Sequence, residues 1–376
     1  MQFLNKKIQP NLGLCILRGM EAGKAHQTFF TKQLINWHHT ANDRQLPWKA
    51  EKNPYKIWLS EIILQQTRAQ QGLPYYLNFI KAYPTIGKMA AANDEDVYRI
   101  WQGLGYYNRC RNMLATARYI TDELKGKFPQ TYEGILALKG IGPYTAAAIA
   151  SFAYGLLHAV VDGNVYRVLA RYFGIDSPTD GAAGKKLFHD LAQELLYQPD
   201  SAAHNQAIMD LGATVCTPQK PQCDACPLQK QCVAYRQDMV MLLPVRAKKL
   251  KIKERHFNYL LLKHKDKVWV QKRSGKDIWH NLHEFYLIET DKAVAASDLT
   301  TTPQYKALKI KQKLTHIISL KQQLTHQTIL SQFYEISITN PHTEALTGGK
   351  WVAIKDLKKI AFPKTIVSFL EKNFYF

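Results

Sequence analysis

The apolar positions of this chain change period once. From Phe29 to His39 they recur at helical spacing, and Leu46-Pro47-Trp48 then breaks the run. Asn53-Pro54 supplies a cap and a first-turn proline for a second helix, Tyr55 to about Gln71, which carries Ser60-Glu61-Ile62-Ile63-Leu64-Gln65-Gln66-Thr67. Acids at 94 to 96 behind Asn93 suit the positive end of another helix, ending near Gly103-Leu104-Gly105. Tyr106-Tyr107 and a basic helix through Arg109, Arg111 and Arg118 follow, and a small-residue helix runs from Thr145 into Leu156-Leu157. Alternation of period two is absent up to Tyr235. Beyond Arg255 it takes over: Phe257 to Leu262, Val268 to Gln271, Phe285 to Ile288 and Phe333 to Ile338 read as strands between polar turns. The pattern predicts a mostly α first domain and a mixed α+β second one.

Between them, RAKKLKIKER at 246–255 carries six basic residues and one acid, too charged to pack, and reads as a linker. The expected organisation is a tail over 1–26, a helical domain over 27–235, a basic linker over 236–255 and an α+β domain over 256–376. The tail is read as disordered, with Met20 as an alternative start. A length of 376 residues with 46% hydrophobic content suits two cores. The net charge of +20 changes the picture more, because it calls for a polyanionic partner, nucleic acid or a membrane surface. No 18-residue apolar span or cleavable leader is present, so a cytosolic, nucleic-acid-binding protein is expected.

Chemistry concentrates in a few places. Cys216, Cys223, Cys226 and Cys232 lie within seventeen residues, a spacing that closes around zinc or a [4Fe-4S] cluster and does not resemble a secreted disulfide framework. Gly140-Ile141-Gly142-Pro143 precedes a helix and can offer backbone N–H groups to a phosphate, although an ordinary turn has the same composition. Asp162, in Val161-Asp162-Gly163-Asn164-Val165, reads as a helix cap or as a functional carboxylate. Glu61 shares a polar stripe with Gln65 and Arg68, so it is either a solvated face or a carboxyl in a dry cleft beside Trp58 and Ile62. A raised and an ionised carboxylate together suit glycosidic cleavage. Trp101 reads as core, whereas Tyr106 and Tyr107 beyond the glycine break, with Arg109 and Arg111, suit a wedge into stacked bases.

LPWK at 46–49, SEIILQQT at 60–67, GLGYYNR at 103–109, GIGPYTA at 140–146, VDGNVYRVL at 161–169 and the cysteine loop occur in an order that resembles the helix-hairpin-helix DNA glycosylases, and more narrowly the adenine glycosylases of the MutY family, from about Gln27 onward. The resemblance implies a helix-hairpin-helix catalytic domain with a [4Fe-4S] cluster on the loop 216–232, and a Nudix-like second domain. It implies that Glu61 protonates an extruded adenine, that Asp162 stabilises the oxocarbenium ion, and that Tyr144 and Asn164 support them. Gln66 and Tyr106 would fill or wedge the base stack, and Gly140, Gly142 and Arg109 would meet the DNA. Leu324-Thr325-His326 stands where the family has Phe-Ser-His for recognising 8-oxoguanine, and departs from it at the first two positions. The implied partner is double-stranded DNA holding adenine opposite 8-oxoguanine or guanine, bound by a monomer in the cytoplasm at the nucleoid.

Two other readings compete. An endonuclease III-type glycosylase/lyase for oxidised pyrimidines needs a lysine nucleophile where this chain has Tyr144; Lys139 is read as a phosphate contact. A non-catalytic lesion-binding protein would use Glu61 and Asp162 only as a polar stripe and a cap. No run of clustered glutamates supports pyrophosphatase activity in the second domain.

Overall fold

The structure is a computed structural model and describes residues 21–247, 252–275, 277–310, 312–339, 341 and 346–373, so the expected tail falls outside it up to residue 20. The helices of the first part are α1 (Glu21–Thr40), α2 (Pro54–Leu64), α3 (Ala69–Ala82), α4 (Ile86–Ala90), α5 (Asp94–Trp101), α6 (Tyr107–Asp122), α7 (Tyr132–Leu136), α8 (Pro143–Tyr154), α9 (Gly163–Phe173), α10 (Ala182–Glu194), α11 (Ser201–Thr214) and α12 (Val233–Arg236). Then come β1 (Lys253–His264), β2 (Lys267–Lys272), β3 (His283–Glu284), β4 (Tyr286–Thr290), α13 (Ala296–Leu299), α14 (Pro303–Ala307), β5 (Thr315–Gln323), β6 (Gln327–Ser337), β7 (Gly349–Ala353) and α15 (Lys364–Lys372). Of the described residues, 21–65 and 120–247 form one compact unit, and 66–119 with 252–373 form another.

In the first unit α1 lays Phe30, Leu34 and Trp37 against Val165, Leu169, Tyr172 and Phe173 of α9 and Ala207, Ile208 and Leu211 of α11. Burying an aromatic or large aliphatic side chain contributes about 1.5–3 kcal/mol, so this three-helix seam contributes substantially to cohesion here. The loop before α2 is tied to the seam by a buried carboxylate. Asp210 of α11 is fully buried and meets Arg44 Nη1 at 2.7 Å, Lys49 Nζ at 2.5 Å and Asn42 Nδ2 at 2.8 Å. Helix α2 starts where Asn53 Oδ1 accepts from the Tyr55 and Lys56 amides and Pro54 fixes the first turn. Its length corrects the expected run to Gln71. The helix stops at Leu64 because Gln65 takes ψ 114° and Gln66 takes φ +55°, which no helix accommodates. Likewise α8 stops at Tyr154, short of Leu156-Leu157, at the left-handed Gly155.

The second unit holds a seven-stranded sheet of order β3-β2-β1-β6-β5, with β4 pairing β1 and β7 pairing β2. The β1–β6 pairing is parallel, from Lys253↔Gln327 to Lys263↔Ser337, so strand structure takes in Lys253–Arg255 of the basic run. Leu260, Leu262, Trp269, Ile288, Tyr334 and Ile336 form a core on the sheet, while Phe369 of α15 stacks on Phe333 at 4.2 Å. β5 shows no clear alternation in the sequence because it is an edge strand: His316, Ser319, Lys321 and Gln323 are exposed, and a bulge lies between His316 and Ile318. Its hairpin with β6 turns at Leu324-Thr325-His326.

Candidate active site and cluster loop

Glu61 lies on the last turns of α2, flanked by buried Trp58, Leu59, Ile62 and Ile63, and is only 7% exposed. A solvated face is therefore excluded. The Tyr144 hydroxyl, from the first turn of α8, donates to Met209 Sδ at 3.9 Å and lies close enough to the Glu61 carboxyl to favour its ionised form. Burial first, and the nearby Asp162 charge second, push the Glu61 carboxyl up to about 7, with the Tyr144 hydrogen bond opposing them. Gln65 at the end of α2 donates to Thr145 Oγ1 at 3.2 Å, joining the two helices.

Asp162 caps α9 as one sequence reading required. Its Oδ1 accepts from the Asn164 and Val165 amides at 2.8 Å each, and Oδ2 accepts from Asn164 Nδ2 at 2.7 Å. It remains half-buried rather than sealed. Burial raises its pKa, and these three hydrogen bonds, with Arg167, favour the carboxylate against that. The cap therefore supplies donors that would stabilise an anion at Asp162, beside a Glu61 carboxyl raised to about 7.

Two supporting residues escaped the sequence reading. Arg167 donates from Nη2 to Asn164 Oδ1 at 2.9 Å and to the Gly212 carbonyl at 2.6 Å, and from Nε to the Cys216 carbonyl at 2.7 Å. Gly212 packs against Asn164: a Cβ there would stand 2.7 Å from Asn164 Cβ and 3.0 Å from its carbonyl oxygen. Arg167 could have been found three residues after Asn164, on the same helix face. Gly212, 48 residues away on α11, had no local signal.

Gly140 takes φ +80° in the turn between α7 and α8, where a side chain would be strained. Gly142 is different. It caps α8 at φ −100°, and a Cβ there would meet nothing within 4 Å.

The four cysteines, none of them in a disulfide, line one cavity together with Arg171 and Tyr235. No three His, Cys, Asp or Glu side chains among the described residues converge as they would around a single ion. Four sulfurs that line one cavity without three of them converging on a single point suit a polynuclear cluster better than one zinc. Burial pushes the Cys226 and Cys232 thiols up to about 12 and about 11, so the thiolates that ligate iron form on metal binding.

Gln66, Tyr106, Arg109 and the hairpin turn belong to the second unit. Gln66 is left-handed at φ +55°. Tyr106 has φ +50° and is 43% exposed, and its hydroxyl hydrogen-bonds Thr325 Oγ1. Arg109 turns inward: its Cζ lies 5.1 Å from the Trp101 ring and 5.4 Å from the Tyr106 ring, and Nη2 donates to the Gly105 carbonyl at 3.2 Å. It braces the turn that presents Tyr106. Trp101 is core, as expected, with Nε1 donating to the Gly105 carbonyl at 2.9 Å. Thr325 and His326 are exposed and Leu324 is half-buried.

Comparison with known proteins bears on all of these parts. Residues 59–193 match the HhH-GPD superfamily of base excision DNA repair proteins, 216–232 the iron-sulfur binding domain of endonuclease III, and 258–372 the NUDIX domain. The adenine DNA glycosylase of Buchnera aphidicola subsp. Schizaphis graminum is 33% identical over 347 residues, covering 91% of this chain and 98% of that protein. The chain belongs to the adenine DNA glycosylase family. The family member of Rattus norvegicus is 41% identical over 222 residues, covering 56% of this chain and 43% of its own length. Among solved structures, a thermostable thymine-DNA glycosylase matches with a TM-score of 0.54 and 29% identity over 58% of this chain and all of that one. As in the family, the cysteine loop holds a [4Fe-4S] cluster, and the chain is a DNA-binding glycosylase of base excision repair with a Nudix-like second domain. No described helix is long and apolar enough to cross a membrane.

Proposed function

We propose that the chain hydrolyses the N-glycosidic bond of adenine opposite 8-oxoguanine or guanine in duplex DNA, acting as a monomer at the nucleoid. The observation that carries this reading is Glu61: a buried carboxyl raised to about 7, held by the Tyr144 hydroxyl, close enough to Asp162 to feel its charge. Adenine leaves poorly as an anion, so a group that is an acid at neutral pH is the main requirement. Glu61 donates its proton to the imidazole-ring nitrogen of the extruded base. Asp162, favoured as an anion by Asn164 and the α9 amides, faces the positive charge that develops on the sugar as the bond breaks. Water then completes hydrolysis. Tyr144 and Asn164 hold the two carboxylates in their opposite protonation states.

The same reading assigns Gly140 and Gly142 to the DNA backbone. At Gly142 neither the protein's own packing nor φ demands glycine, so the missing side chain serves close approach from outside. Gln66 and Tyr106 enter the base stack, and Leu324, Thr325 and His326 read the opposite base, with catalysis over 27–235 and recognition over 256–376. The lyase reading is disfavoured by Tyr144, which has no amine with which to form a Schiff base.

Single-turnover base release from duplexes with adenine opposite 8-oxoguanine, guanine or thymine tests the assignment. Glu61→Gln is expected to abolish excision while retaining duplex binding. Near-normal cleavage by that variant would refute the acid role, and borohydride trapping of a covalent adduct would favour the lyase.

A further inference from the structure

Arg171 is a buried cation, 3% exposed, with no carboxylate partner among its described hydrogen bonds. Its fork instead meets the cysteine loop. Nη1 lies 3.4 Å from Cys216 Sγ and donates to the Thr217 carbonyl at 2.8 Å; Nη2 donates to the Pro218 carbonyl at 3.3 Å, and Nε to the Leu243 carbonyl at 3.1 Å. Cys232 Sγ sits 3.4 Å from the main-chain oxygen of Arg171. That second contact depends on a thiol hydrogen that ligation removes, so the guanidinium contact to Cys216 is the one that survives cluster binding.

We propose that Arg171 sets the reduction potential of the cluster, through a charge-assisted N–H···S hydrogen bond to Cys216 and through its own buried positive charge. A desolvated cation against one of four thiolates stabilises the more electron-rich state of the cluster. It therefore makes loss of one electron from the resting cluster harder, and protects the cluster from oxidative breakdown. In the couple considered, one electron passes between cluster and electrode, and no bond or proton changes place. Arg167 reaches the same cysteine only at its carbonyl, and Lys230 is an exposed cation on the same loop, so the contact with sulfur distinguishes Arg171.

Protein-film voltammetry of the iron-loaded full chain tests this, with iron content measured for each variant. Arg171→Gln is expected to shift the potential to more negative values and to speed bleaching of the cluster by ferricyanide, while Lys230→Gln, which removes a charge without touching sulfur, leaves both close to wild type. An unchanged potential in fully loaded Arg171→Gln, or an equal shift in Lys230→Gln, overturns the proposal. Should Arg171→Gln fail to retain iron, wild-type protein labelled with ¹⁵N in its arginine guanidinium groups carries the test. Electron-spin-echo modulation of the paramagnetic cluster is expected to show coupling to a guanidinium nitrogen that disappears in Arg171→Lys. Absence of that coupling from wild type equally overturns the proposal. Neither measurement depends on base excision, so failure here leaves the proposed function untouched.

Discussion

Glu61 is held in a state that costs stability at neutral pH. Its pKa in the folded chain, about 7, lies above the ordinary value of 4.5, so folding favours the protonated form. Its contribution to stability is therefore fully present below pH 4.5 and is lost as pH rises toward 7, by about 3 kcal/mol in all. Two outcomes are expected. The single-turnover rate should fall as pH rises through about 7, with the acid form as the active one. Glu61→Gln, which is neutral at every pH, should raise Tm at pH 8 and leave it near wild type at pH 5, as thermal melts at the two pH values would show. The sequence showed the candidate but not its state. Apolar neighbours at 58, 59, 62 and 63 are compatible with either a wet or a dry face, and the burial of Glu61 depends on α8 packing against α2, a contact between residues about eighty positions apart.

At the scale of elements, the seam between α9 and α11 positions Asn164 through the absence of a side chain at Gly212. Gly212→Ala is expected to displace Asn164, weaken its hold on Asp162 and slow single-turnover excision by at least about tenfold, with a stability loss of roughly 1–3 kcal/mol from overpacking. Asp210 anchors the loop before α2 from the same helix. Asp210→Asn leaves Arg44 and Lys49 without their buried counter-charge and is expected to cost about 3 kcal/mol or more, measured by urea unfolding. The helices, the cap at Asp162 and the cysteine loop were legible in the sequence because each has a local signature in capping residues, turn glycines or spacing. Lys49 in LPWK gave no sign of its partner, since the pairing with Asp210 exists only in the folded chain. The break at Gln66 was missed for the same reason, because three polar residues that continue a helical stripe look like helix until a left-handed residue interrupts them. The inward turn of Arg109 depends on stacking with Trp101 and Tyr106, which composition alone does not order.

At the scale of the molecule, the charge of +20 makes DNA affinity strongly salt-dependent, because cations on the protein displace counterions from the phosphates. Discrimination between opposite bases should behave differently. Thr325→Ala removes the hydroxyl that meets Tyr106 at the β5–β6 turn. It is expected to lower the preference for 8-oxoguanine over guanine while leaving the slope of log affinity against log salt unchanged, as binding titrations on the two duplexes would show. The seam of α1 with α9 and α11 bears on how the chain is made. Phe30 emerges from the ribosome roughly 140 residues before Phe173 and nearly 180 before Ile208, its partners in one core. α1 must therefore wait, with its apolar face uncovered, until α11 and the cysteine loop have been synthesised. Closure of the catalytic core and completion of the iron-binding loop are thus late and nearly simultaneous events in the life of the nascent chain.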